Sequence, residues 1–289
     1  MKLAVIGMGL MGGSAALAMR QAGVVDSVVA CDLNPDEIQT SIELGIADEG
    51  TQDVLESVLG ADVVMVATPV MTMEAIFRQA APGLGDGAVI TDVGSVRGAV
   101  QESASRALGK KFCRYAPCHP IAGGEKPGVR YANPGMFRGK NVISTSGLWA
   151  DRDAVERMEG LWKACGANII RMTAERHDEV FATMSHLPHV LSFAFVKMVT
   201  ESRNPDELLR MGGTGFLDFS RIAASSPVMW RDICLTNREA ISRGLRRYRR
   251  ELERFQKDID EGNADRLVAE FARAAQARRG LGPGPKGKK

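Results

Sequence analysis

Over the first 172 residues, short runs rich in Val, Ile and Ala fall at 2–6, 28–31, 62–67, 88–91, 112–117, 140–145 and 167–171, separated by stretches of helical spacing. Short strands without polar alternation belong inside a parallel sheet covered by helices on both faces, so the rhythm predicts an α/β domain with a mostly parallel sheet over 1–172. After Thr173 the pattern changes. Residues 175–200 and 205–275 read as long amphipathic or apolar helices with no strand, which predicts a helical domain over 173–279. Pro188 lies within the first of these runs, where it lacks a donor and crowds the preceding turn, so a kink or break is expected beside His186 and His189. Further on, Ile241, Leu245, Tyr248, Leu252, Phe255 and Ile259 alternate spacings of four and three, a heptad-like seam. The segment 280–289, GLGPGPKGKK, has nothing to bury and is expected to be disordered.

Length and composition agree with two domains. The chain has 289 residues, 45% hydrophobic and 25% charged, as in an ordinary soluble globular protein. A net charge of +2 hides a mild asymmetry: residues 1–172 hold 16 Lys and Arg against 19 Asp and Glu, and residues 173–289 hold 21 against 16. Neither half is basic enough to demand nucleic acid, and the arginines around the 241–259 seam read as a solvated or subunit-facing surface. Five scattered cysteines, none in a C-x-x-C pair, point to reduced thiols and to no metal site. Met1 leads straight into the first strand-like run, which leaves no room for a secretory leader, and no run suits a membrane span. The expectation is a cytoplasmic protein.

The first candidate chemistry is GMGLMG, Gly7 to Gly12, set between the first strand-like run and a helical run from Ser14 to Gln21. Each glycine has its own physical reason: Gly7 permits a tight turn, Gly9 lets backbone approach a pyrophosphate, and Gly12 allows close helix packing. The helix N-terminus that follows offers unpaired N–H groups to phosphate, and Leu10 and Met11 within the motif join the glycines as cofactor-binding candidates. Asp32 ends the second run 20 residues beyond Gly12, where a carboxylate can accept hydrogen bonds from the adenosine ribose hydroxyls. It would repel a 2′-phosphate, and Leu33-Asn34-Pro35 brings no arginine, so NAD is expected rather than NADP. Asp32 also suits a turn cap before Asn34-Pro35. A Rossmann-type fold follows. Ligands sit beyond the carboxyl ends of its strands, so Thr68, Pro69 and Ser95 of Asp92-Val93-Gly94-Ser95 join the cofactor-lining candidates.

Oxidising an alcohol with NAD requires an acceptor for the hydroxyl proton, and histidine titrates in the useful range. Four histidines are available. His177, among Glu175, Arg176, Asp178 and Glu179, reads as exposed. His119 is expected after the 112–117 strand, opening the glycine-rich PIAGGEKPG segment, which would set an imidazole at a strand end beside a ligand-wrapping loop. Its neighbour Cys118 reads as a buried structural thiol. His186 and His189 flank Pro188 where the second domain would meet the first, and are read as cofactor or substrate contacts. Arg221 offers a rigid fork for a carboxylate, or else makes a surface ion pair.

Taken together, GMGLMG, DVGSV at 92–96, HPIAGGEKPG at 119–128, SHLPH at 185–189 and GGTGFLDFSRIAASSPVMWRDI at 212–233 resemble the prephenate and arogenate dehydrogenases of tyrosine biosynthesis, in the family's order and over roughly residues 1 to 275. The resemblance implies NAD-dependent oxidative decarboxylation, giving 4-hydroxyphenylpyruvate from prephenate or tyrosine from arogenate. It implies that His119 accepts from the ring hydroxyl and Ser95 bridges that histidine and the nicotinamide. His186 and His189 would line the cleft, Arg221 would bind a substrate carboxylate, and the chain would form a homodimer through its helical domain. Glu125 is a candidate for reading the substrate side chain. The HPIAG form resembles bacterial members that accept prephenate.

Two alternatives stay open at this point. A β-hydroxyacid dehydrogenase of the same plan would use a helical lysine, for which Lys197 is placed, although Glu201 stands where an asparagine is expected. A dinucleotide sensor without catalysis would need only the fold and the cofactor.

Overall fold

A computed structural model of the chain describes residues 1–124 and 126–281. Compactness divides it into Met1–Ala240 and a second unit from Ile241 onward.

In the first unit, five parallel strands, β1 (Lys2–Ile6), β2 (Ser27–Cys31), β3 (Glu49–Thr51), β4 (Val63–Val66) and β5 (Val89–Asp92), form one sheet in the order β3-β2-β1-β4-β5. The order reverses at β1, which creates the crevice where doubly wound sheets bind ligands. Five helices connect and cover these strands: α1 (Leu10–Gln21), α2 (Pro35–Glu43), α3 (Val54–Val58), α4 (Met73–Ala80) and α5 (Gly98–Leu108). The strands are apolar on both faces because both faces are covered. Leu3, Val5, Val28 and Met65 pack in one core with Met19 of α1, and Ala4, Val64, Val66 and Ile90 in another with Phe77 of α4. A second sheet follows, β6 (Cys118–Pro120), β7 (Asn141–Ser144) and β8 (Asn168–Arg171), with β6 antiparallel and β8 parallel to β7, and α6 (Arg152–Ala164) precedes β8.

Two strand expectations need correction. Residues 112–117 are not a strand: Gly109–Arg114 is 3₁₀-helical, held by Lys111 Nζ on the carbonyls of Ala81 (2.9 Å) and Leu84 (2.5 Å) and by the stack of Phe112 on Trp149. The apolar character there serves ring packing. Only Tyr115 runs beside β5, through one bridge to Ile90, and the strand begins at Cys118. Strand β3, Glu-Gly-Thr, was not expected, since a three-residue polar edge strand has no hydrophobic signature.

Beyond β8 the described residues are helical: α7 (Ala174–Phe181), a single π-helical turn (Ala182–His186), α8 (Leu187–Thr200), α9 (Pro205–Arg210), α10 (Thr214–Ser220), α11 (Pro227–Thr236), α12 (Arg238–Asp260) and α13 (Ala264–Gly280). The interruption expected from Pro188 is this π turn, and Pro188 itself falls in the first turn of α8, where its missing N–H costs little. The 205–236 stretch is three short helices rather than one long run. In the second unit the seam lies on α12, Phe255 stacks on Phe271 of α13, and buried Asp258 pairs with Arg266. Gly280 closes α13 and Leu281 follows in a turn, so these first two residues of the segment expected to be disordered are structured; the others, 282–289, lie outside the described residues.

Helix α1 starts at Leu10 rather than Ser14, so Gly12 lies inside it. A Cβ on Gly12 would sit 2.3 Å from the Gly7 carbonyl oxygen, and Gly7 itself has φ +94°. Gly12→Ala is expected to lower unfolding free energy by about 1–3 kcal/mol, the usual cost of overpacking. Gly9→Ala, whose Cβ meets nothing within 4 Å, should leave the urea midpoint near that of the parent.

Candidate active site

The turn between β1 and α1 is built as a phosphate cradle. Gly9 is the N-cap of α1 with no side-chain cap, so the first N–H groups of the helix have no acceptor from that position, and the space over Gly9 is open. Gly7 and Gly12 are glycine for the opposite reason: a Cβ on either would run into the backbone of the turn or of the Ala67 segment. Asp32 follows β2 and accepts from the N–H of Met8 (2.8 Å) and of Asn34 (2.9 Å), so it both braces the glycine turn and caps the next one. Each carboxylate oxygen keeps a lone pair for a ribose hydroxyl. Thr68 and Pro69 follow β4, and the Thr68 hydroxyl accepts from Thr72 at 3.0 Å. This donor set fits a dinucleotide without a 2′-phosphate.

Beyond β5 lies a chain of three side chains that the sequence pattern did not reveal. His119, within β6, brings Nδ1 to 2.8 Å from Nε2 of His177, whose Nδ1 lies 2.9 Å from Oδ1 of Asp178. The expectation that His177 is exposed is overturned: it is fully buried, because Ala174, His177 and Phe181 share one face of α7 and that face packs inward. His119 and His177 both contact the Phe181 ring. Thr173 caps α7 by accepting the Arg176 N–H at 3.2 Å, and so fixes which residues face in. Asp178 in turn accepts from the main-chain N–H of Arg97 (2.8 Å) and Gly98 (2.9 Å), supplying from 80 residues away the cap that α5 lacks locally.

The partners fix the protons. Burial alone would raise the Asp178 carboxyl, but the bonds from His177, Arg97 and Gly98 outweigh it and hold it below the usual carboxylate range. An ionised Asp178 makes His177 a donor at Nδ1 and leaves Nε2 as acceptor, so His119 donates from Nδ1 and keeps its own Nε2 lone pair. Burial, with the charges of His177, Arg97 and His186, holds His119 well below the ordinary histidine range. The site therefore presents an unprotonated imidazole nitrogen at neutral pH, backed by two groups that can spread a positive charge once it takes a proton.

The SHLPH segment places its histidines differently. His186 is buried, and the Asn237 amide donates both to the Asp178 carbonyl (2.9 Å) and to His186 Nδ1 (3.2 Å), which puts the ring proton on Nε2. That Nε2–H has no hydrogen-bond partner of ordinary geometry among the described residues, although the Ser95 backbone faces the ring. Burial pushes His186 down to about 4. His186 is a neutral donor and not a base. His189 donates Nδ1 to the Ser185 carbonyl at 2.8 Å and stacks on Trp230 at 3.8 Å between ring centroids. Burial first, and then the Arg221 charge, lower its affinity for protons, against the Ser185 bond. Arg221 opens the 3₁₀ turn after α10, which is held to α8 by Ser192 donating to the Phe219 carbonyl at 2.8 Å.

The structure thus brings together His119, His186 and the Ser95 turn, and brings His189 together with Arg221. Glu125 lies outside the described residues. Cys118 is buried, as expected of a structural thiol, and burial pushes it up to about 12. Lys197 pairs with Glu201 on the surface of α8, which removes the support for a lysine-based reaction. Among the described residues no group of three or more His, Cys, Asp or Glu could hold a metal, and no helix is long and apolar enough to cross a membrane. Asp178 and Asn237 were missed because their roles depend on contacts 51 to 81 residues away in sequence. His177 had a local signal, the 174–177–181 spacing, which its charged neighbours obscured.

A glycine cradle at the switch point of a parallel sheet, an acid at the ribose position and a backed imidazole beyond the next strands define an NAD-dependent oxidoreductase. Residues 15–171 match the family model described as prephenate dehydrogenase, nucleotide-binding domain, and residues 173–273 match the one described as prephenate dehydrogenase, dimerization domain. Prephenate dehydrogenase of Bacillus subtilis is 33% identical over 277 residues, covering 95% of this chain and 74% of that protein. Cyclohexadienyl dehydrogenase of Zymomonas mobilis is 31% identical over 281 residues, 96% and 95% of the two chains. The crystal structure of prephenate dehydrogenase from Aquifex aeolicus in complex with hydroxyphenyl propionate and NAD+ is similar with a TM-score of 0.91 at 34% identity, covering 97% of this chain and 98% of that one. The chain belongs to the prephenate dehydrogenase family.

Two outcomes follow for the histidine chain. Asp178→Asn should lower kcat by about 10²-fold or more, since it removes the charge that fixes both tautomers and stabilises the protonated base. The depressed histidines also set a pH dependence of stability. Their folded values lie below the unfolded value near 6.5, so the unfolded chain binds protons first and stability declines as pH falls from about 6.5 towards 4. His186 alone contributes on the order of 3 kcal/mol to this decline once pH is below about 4. Denaturant titrations across that range should show it, and a midpoint unchanged between pH 7 and 5 would contradict the burial of these rings.

Proposed function

We propose that this chain converts prephenate to 4-hydroxyphenylpyruvate by NAD-dependent oxidative decarboxylation, with arogenate as a second substrate. The observation that carries the reading is the Asp178–His177–His119 chain, which ends in an unprotonated nitrogen on the carboxyl side of the cofactor-binding sheet. NAD, when bound, accepts hydride from the ring carbon that bears the hydroxyl. His119 Nε2 takes the hydroxyl proton as that hydride leaves. The resulting dienone is a vinylogous β-keto acid, so loss of carbon dioxide follows from aromatisation without an expelling group from the protein, and the phenolate left behind recovers a proton. What the chain supplies is orientation and a place for the proton.

The remaining residues take roles by position. Gly7, Gly9, Leu10, Met11 and Gly12 hold the pyrophosphate, Asp32 the adenosine ribose, and Thr68, Pro69 and Ser95 the nicotinamide side. The hydroxyl of Ser95 has no hydrogen-bond partner among the described residues, which suits a group that bonds ligand. Arg221 and His189 bind a substrate carboxylate, His186 donates to a ligand acceptor beside Ser95, and Glu125 reads the substrate side chain. Residues 1–172 serve the cofactor, and 173–279 serve substrate and a homodimer contact. In support of the latter, Met198, Leu217 and Val228 are exposed on the helices after α7, as are Tyr248, Leu252 and Ile259 on α12. The biosynthetic role suits the cytoplasm.

Formation of reduced nicotinamide, compared for prephenate and arogenate under NAD and NADP, tests the reading directly. Turnover is expected with prephenate and NAD, and much less with NADP because of Asp32. His119→Asn should reduce kcat by about 10²- to 10⁴-fold with little change in KM, whereas Arg221→Ala should chiefly raise KM. Silence with both substrates, in protein shown to bind NAD, would overturn the proposal. Because His119 titrates well below 6.5, kcat/KM of the parent should hold level through neutral pH and decline only as His119 takes a proton in the acid range.

A further inference from the structure

Arg97 is among the largest fully buried side chains, and its charge takes no part in the steps of the reaction. Its guanidinium grips Asp92 at the end of β5: Nη1 donates to Oδ2 at 3.0 Å, Nη2 bonds Oδ1, and Nε donates to the Val96 carbonyl at 3.1 Å. Asp92 also accepts the Tyr115 hydroxyl and the N–H of Gly94, the latter at 2.8 Å. Ser95 is thus flanked on both sides by residues tied to one ion pair. A Cβ on Gly94 would lie 2.8 Å from Nη2 and 2.9 Å from Asp92 Oδ1, so the pair fills the space under the turn. The main-chain N–H of Arg97 meanwhile holds Asp178.

A buried ion pair is a weak source of stability, since desolvating two charges offsets most of their attraction and an apolar pair of equal volume often serves as well. We propose that Arg97 is a positioning residue for the reaction: its fork on Asp92 fixes the turn that presents Ser95, and its main chain fixes Asp178, so one residue holds the serine and the histidine chain in register. The proposal rests on His119 being the base. It also gives the cation an electrostatic role. The groups facing His119 are His177 and behind it Asp178 from α7, His186 from the π turn, and Arg97 from the turn after β5. Asp92 acts on His177 and Cys118. Arg97 is the full positive charge among these near neutrality, and it opposes protonation of His119.

The test compares the parent, Arg97→Lys, the double variant Asp92→Asn/Arg97→Met, which leaves no lone buried charge, and His119→Asn, in kcat, KM and the pH profile of kcat/KM with prephenate and NAD, with melting curves alongside. The double variant is expected to lose about 10- to 100-fold in kcat through misplacement, and its acid limb should move up towards pH 6.5. Arg97→Lys should keep the acid limb of the parent, because the charge remains, while losing part of kcat because the fork is gone. A folded double variant with kcat within about twofold of the parent and an unmoved acid limb would overturn the proposal. If the double variant does not fold, Arg97→Lys decides: unchanged kcat overturns it, and lowered kcat at an unmoved limb supports it. Full activity in His119→Asn would instead remove the base assignment, a separate failure.

Discussion

The carboxylate of Asp178 is the point on which the site depends. It caps α5, orients His177 and through it His119, and its own main-chain carbonyl holds the Asn237 amide that sets the proton on His186. A helix end left without a local cap is a strong, directional site for an acceptor. Here it is satisfied by a residue from the helical part of the chain, whose other hydrogen bonds bring β6, α7 and the segment after α11 into one arrangement. Folding and the protonation state of His119 are coupled through a few hydrogen bonds.

The two ends of the site are built on different physics. The cofactor cradle is a matter of space: glycines where backbone would collide, open volume over Gly9, and uncapped N–H groups. The proton acceptor is a matter of environment: imidazoles taken out of water, so that each stays neutral and its tautomer is dictated by a neighbour. Four histidines of one residue type are thereby given separate roles. His119 keeps an acceptor nitrogen, His177 bridges it to Asp178, His186 is a donor, and His189 is a ring stacked on Trp230 with Arg221 near.

Much of this was legible in the sequence, and the failures are informative. Strands such as β1 and β4 stood out because both faces are buried, and the glycine turn because each glycine answers a steric demand. The edge strand β3 left no hydrophobic trace. Residues 112–117 misled because aromatic stacking and strand burial both select apolar side chains. In the site, His119, His186 and His189 announced themselves beside proline and glycine. His177 was hidden by the charged residues around it, and Asn237 and Arg97 act through partners that no local pattern reveals. Periodicity reads what a face does, and long-range hydrogen bonds have no period.

Cys118 adjoins the proposed base in sequence, yet its thiol is sealed in the core and held up to about 12. Thiolate, not thiol, reacts with electrophiles and peroxides. A sulfur one residue from His119 is therefore kept as a thiol, and the protein can hold a small, polarisable packing atom at that spot without placing a ready nucleophile beside the imidazole.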